Sequence, residues 1–126
     1  MTTTRSFTPA RVEKFERLLL AEEVEAESRL AEHREGMLEV RAARSDTAAA
    51  DDEHDPEGPT MIQEWSQRTA VLADAELELA DVRRALARLA DHSYGICENC
   101  GRPIAVARLE ARPTATLCID CARLQG

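Results

Sequence analysis

The sequence predicts a mainly α protein: an antiparallel two-helix coiled-coil hairpin followed by a small C-terminal unit organised around four cysteines. Three observations lead there. Ala, Glu, Lys, Leu and Arg supply 66 of the 126 residues, the composition of long amphipathic helices rather than of sheets. Two stretches repeat apolar residues at spacings of three and four, the period of one helix face. All four cysteines fall between Cys97 and Cys121. Leu, Ile, Val and Phe number only 25, and the aromatic residues are Phe7, Phe15, Trp65 and Tyr94. A helix seam or a bound metal must therefore supplement the core.

Thr8-Pro9 opens the first helix, because Thr caps exposed amides and Pro at the first helical position gives up no needed hydrogen bond. Val12, Phe15 and Leu19, then Leu30, His33, Met37 and Val40, trace its seam, with Ala26 bridging the weak stretch between. This predicts a helix over about 9–43, with Gly36 inside it at a cost of ~1 kcal/mol relative to Ala. Residues 44–59 break the period with Asp51-Asp52-Glu53-His54-Asp55-Pro56-Glu57-Gly58-Pro59, an acidic connecting loop. Ile62, Trp65, Thr69, Leu72, Leu79, Val82, Leu86 and Leu89 then trace a second seam over about 60–90.

Two helices with narrow apolar stripes bury them most simply against each other. At ~1.5 Å per residue each arm should reach about 45 to 50 Å, leaving the acidic connection at the tip. The expected domains are a helical hairpin over 1–90 and a separate unit over 91–126. The hairpin seam is expected to stop short of the cysteines and to survive without them.

No segment approaches the ~20 apolar residues that span a bilayer, and the N-terminus lacks an apolar signal core. A cytoplasmic location without membrane association is expected. In that reducing setting, clustered cysteines favour metal over disulfides. Residues 1–90 hold 12 basic and 20 acidic residues, and residues 91–126 hold four of each. Neither part forms a basic stripe, which disfavours a nucleic-acid-binding module using Arg102, Arg108, Arg112 and Arg123. An oligomerisation module is the other alternative. No Ser or Cys nucleophile has a plausible base, so no enzyme is expected.

Cys97-x2-Cys100-x17-Cys118-x2-Cys121 has the spacing of a structural zinc site. Each Cys-x-x-Cys turn directs two thiolates at one ion, and four complete a tetrahedron with no position open to substrate. One structural Zn²⁺ is expected, making 91–126 a four-cysteine zinc finger. Gly101 suits the left-handed backbone that follows such a turn. Arg102, Arg108 and Arg112 are near enough in sequence to offset the site's net negative charge. Thiol redox exchange would need a βαβ context that this sequence lacks.

The run Tyr94-Gly95-Ile96-Cys97-Glu98-Asn99-Cys100-Gly101, with Ile104, Arg108-Leu109-Glu110-Ala111-Arg112-Pro113-Thr114-Ala115 and Leu117-Cys118-Ile119-Asp120-Cys121, closely resembles the zinc finger of the DksA/TraR family of bacterial transcription regulators. The resemblance implies a protein that binds RNA polymerase directly. Its coiled coil would enter the secondary channel, bringing acidic tip residues toward the catalytic centre, without reading DNA sequence. The family's tip carries an Asp-x-x-Asp-x-Ala pattern. Asp52 and Asp55 keep the aspartate spacing, but Pro56-Glu57 follows where the family has x-Ala. Asp55 is the first candidate, then Asp52 and Glu57. Family members that answer to ppGpp use basic side chains along the second helix, where this chain has Asp74, Glu78 and Asp81. Those charges would repel a polyphosphate.

Overall fold

A computed structural model describes residues 4–50 and 58–125. Helix α1 spans Pro9–Ala50, α2 Gly58–Ala90, α3 Val106–Ala111 and α4 Ile119–Gln125, and no strand forms among the described residues. The only extended pairing among them is an isolated bridge between Ile96 and Pro103. Helix α1 continues beyond the end that its seam marks. Residues 44–50, expected in the connecting loop, belong to α1 instead; Ala48-Ala49-Ala50 lie in that extension, and alanine sustains a helix by propensity without any apolar period. Asp52, Asp55 and Glu57 lie outside the described residues.

The chain forms two compact units, one of Met1–Val24 with Ala80–Gly126 and one of Glu25–Leu79. In the second, Ala26 and Leu30 of α1 pack against Ala75 and Leu79 of α2, with Leu72 at the margin. Arg29 pairs with Glu78, and the Arg41 guanidinium lies 5.8 Å from the centre of the Trp65 ring. Positions rising along α1 thus meet positions falling along α2, an antiparallel pair. The Arg68 side chain fills the space that a β-carbon on Gly36 would occupy. Ile62 and Thr69, assigned to the seam by periodicity, are exposed, and Thr69 donates its hydroxyl to the Trp65 carbonyl at 2.8 Å.

In the first unit, Phe15 and Leu19 of α1 and Val82, Ala85 and Leu89 of α2 share one buried core with Tyr94, Cys97, Ile104, Leu109 and Cys121. The seam therefore does not stop short of the cysteines, because its last side chains form the wall against which the finger closes. Lys14 reaches Glu110 of α3 at 3.0 Å, and Arg83 reaches Glu23 at 3.3 Å. Helix α2 ends in a Schellman-type turn, with the Ser93 amide donating to the Arg88 carbonyl at 3.0 Å and His92 at φ 67°. His92 is exposed in that turn.

Candidate metal centre

The first cysteine pair sits on a tight loop. The Ile104 amide donates to the Gly95 carbonyl at 2.7 Å, the Cys97 amide to Arg102 at 2.8 Å, and the Gly101 amide to Cys97 at 3.0 Å. Gly101 takes φ 74°, the left-handed geometry its place after Cys100 suggests. The second pair is set by α4, with Cys118 just ahead of it and Cys121 in its first turn. The Glu98 amide joins the two parts by donating to the Thr116 carbonyl at 2.8 Å.

These constraints bring the sulfurs of Cys97, Cys100, Cys118 and Cys121 within 4.8 Å of one another. The Sγ atoms of Cys100 and Cys118 are 3.8 Å apart, far too distant for a disulfide. Zinc–sulfur bonds of ~2.3 Å at tetrahedral angles put sulfurs about 3.8 Å apart, so the cluster fits one Zn²⁺. Burial opposes ionisation of Cys97, but hydrogen bonds from the backbone of Cys100, Cys118 and Asn99 bring its thiol down to about 6. At Cys121 the Asn99 amide, 3.3 Å from the sulfur, favours the thiolate. The Cys118 sulfur, burial and the two remaining sulfurs outweigh it and push that thiol up to about 12. Four sulfurs so close cannot all ionise on protein donors alone, and a bound cation supplies the missing charge. Such a centre is closed and structural.

Of the arginines expected to offset the charge, Arg108 donates Nε to the Leu117 carbonyl at 2.9 Å, next to Cys118. Arg102 contributes its carbonyl to the first loop. Of Asp74, Glu78 and Asp81, Glu78 pairs with Arg29 and Asp81 with Arg84. Tyr94 is buried, its hydroxyl donating to the Pro113 carbonyl at 2.8 Å. Burial and then the Glu22 charge raise that hydroxyl above the ordinary phenol range.

Periodicity and cysteine spacing assign no role to Arg5, Phe7 or Asn99. Arg5 Nη1 donates to the carbonyls of Gly95 at 2.6 Å and Ile104 at 2.7 Å. Phe7 packs its ring against Phe15 and Tyr94, with centroids 5.4 and 6.1 Å away. An aromatic residue just ahead of the Thr8-Pro9 helix start was the available signal, since an apolar residue there often packs back on its own helix.

Fold and site together define a mainly helical protein that carries a four-cysteine structural metal centre. Residues 92–125 match the prokaryotic dksA/traR C4-type zinc finger. A stretch of 43 residues is 51% identical to the RNA polymerase-binding transcription factor DksA of Escherichia coli strain K12, covering 34% of this chain and 28% of that protein. The DksA of Caulobacter vibrioides strain NA1000 is 52% identical over 42 residues, 33% of this chain and 30% of that one. The aligned stretch thus spans under a third of these relatives. The transcription factor DksA2 structure from Pseudomonas aeruginosa superposes with a TM-score of 0.76 at 26% identity, over 94% of this chain and 84% of the other. The chain carries a zinc finger of the dksA/traR C4 type over residues 92–125.

Proposed function

We propose that this protein is a transcription regulator that binds RNA polymerase directly, with the metal centre structural and the acidic segment between α1 and α2 as its active part. The reading rests chiefly on one observation: half-identity over the finger to proteins named for polymerase binding. The fold likeness to DksA2 over nearly the whole chain supports it. Entry into the secondary channel is part of the proposal, with Asp55, Asp52 and Glu57 as the side chains presented there. Carboxylates in that position would act on the Mg²⁺ coordination of the catalytic centre or on the loops around it. Cys97, Cys100, Cys118 and Cys121 are assigned as the zinc ligands. A cytoplasmic setting goes with that partner, and the chemistry belongs to the polymerase rather than to this chain.

Binding of zinc-loaded protein to purified bacterial core RNA polymerase tests the reading. A saturable one-to-one complex, unaffected by competing duplex DNA, is expected. Absence of binding to polymerase would remove the proposal.

Regulation by ppGpp through basic groups on the second helix is expected to be weak, because Glu78 and Asp81 add negative charge and already engage Arg29 and Arg84. Titration of ppGpp into the polymerase complex should change transcription little. Strong synergy that disappears in Arg83→Ala or Arg84→Ala would overturn this.

A further inference from the structure

The two limbs of the loop that carries Cys97 and Cys100 meet at the bridge between Ile96 and Pro103, made by two backbone hydrogen bonds, Ile104 amide to Gly95 carbonyl at 2.7 Å and Cys97 amide to Arg102 carbonyl at 2.8 Å. Arg5 closes the same mouth from outside. Its Nη1 accommodates one carbonyl from each limb, Gly95 and Ile104, while its own amide donates to the His92 carbonyl at 2.7 Å. The guanidinium lies 4.4 Å from the centre of the Phe7 ring, and Phe7 is anchored on Phe15 and Tyr94. Gly95 accommodates this strap in two ways. It takes φ 85°, and a β-carbon there would come within 2.9 Å of Arg5 Nη1 and 3.0 Å of the Phe7 ring.

We propose that residues 5–7 are a latch on the metal centre, with Arg5 a positioning residue that holds the first cysteine pair on the ion by tying Gly95 to Ile104. A metal leaves a four-thiolate site one ligand at a time. For Cys97 and Cys100 to swing away, the limbs of their loop must part. Parting them breaks two charge-assisted hydrogen bonds to a guanidinium, which are stronger than bonds between neutral groups. Burial and then the Arg11 charge lower the Arg5 guanidinium from its ordinary value, in keeping with a group held on protein carbonyls rather than in water. The N-terminal segment thereby controls how fast zinc exchanges.

The test is the rate at which the zinc-loaded full chain gives its metal to excess 4-(2-pyridylazo)resorcinol, with amide exchange as a second reading. Arg5→Ala should release zinc about tenfold faster, the scale of one lost hydrogen bond to a charged group. One zinc per chain should remain before the chelator is added, and the Cys97 and Ile104 amides should exchange faster. Arg5→Lys, which keeps the charge but loses the planar fork, should fall between. Leu30→Ala, in the other unit, should leave release unchanged. Release from Arg5→Ala within twofold of the parent would overturn the latch, as would equal acceleration by Leu30→Ala. If Arg5→Ala does not stay folded, Arg5→Gln is read by the same twofold limit.

Discussion

Tyr94 stands where three lines of packing meet. Its ring lies 5.2 Å from Phe15 and 6.1 Å from Phe7, and its hydroxyl donates to Pro113 from a buried position. Tyr94→Phe keeps the ring and leaves the Pro113 carbonyl without its donor, so it should cost about 1–3 kcal/mol, read from the denaturant midpoint of the zinc-loaded protein. The Asp91 carboxylate accepts from the Ser93 hydroxyl and from its amide at 3.0 Å, and these bonds lower its pKa. A carboxylate lowered by folding stabilises above its unfolded value, ~4, and loses that contribution as pH falls through the folded one. Asp91→Asn should therefore flatten the stability profile on the acid side of pH 4 and leave the shape above pH 6 unchanged. A profile that coincides with the parent's at every pH would contradict this. Neither role was legible from residue type, since an aspartate at a helix end and a tyrosine before a cysteine each have many uses.

The helices were legible because their apolar period is one-dimensional, and the same fact explains what escaped. Ala75 and Ala85 are 5% and 6% exposed, yet alanine in so alanine-rich a chain carries no signal of burial. Ile62 is 65% exposed, its place on the stripe notwithstanding. Gly36 reads as a defect in α1, and the structure shows that Arg68 occupies the vacant volume. That obstacle is the far end of a flexible side chain, 42% exposed and paired with Glu64 on its own helix at 3.3 Å, a bond worth little. Gly36→Ala should thus stabilise by about 0.5–1 kcal/mol through helix propensity, seen as an upward shift of the unfolding midpoint. A downward shift would mean that the Arg68 placement matters more than the backbone. The cysteine elements were the easiest to read, because ligand spacing is fixed by one ion rather than by an extended surface.

At the scale of the whole chain, the finger and the adjoining ends of α1 and α2 share a core. Cys97 and Cys121, two of the four clustered cysteines, lie in that core. Removing zinc should therefore disorder more than the finger. Amide protection at Phe15, Leu19, Val82 and Leu89 should fall together with that at Cys97 and Cys121, and their retention on chelation would show that the seam stands alone. The clustering of the four cysteines was legible from their spacing, whereas their fusion with the helices was not, because spacing within a motif says nothing about the surface on which it rests. The proposed function rests on the acidic connection. The measurement that tests it most directly compares open-complex lifetime on a bacterial promoter, at equal saturating occupancy of RNA polymerase, for the parent and for the triple variant Asp52→Asn, Asp55→Asn and Glu57→Gln. The parent should change that lifetime and the triple variant should bind with similar affinity while changing it little. A parent without effect at full occupancy, or a triple variant as active as the parent, would contradict the assignment of activity to the tip.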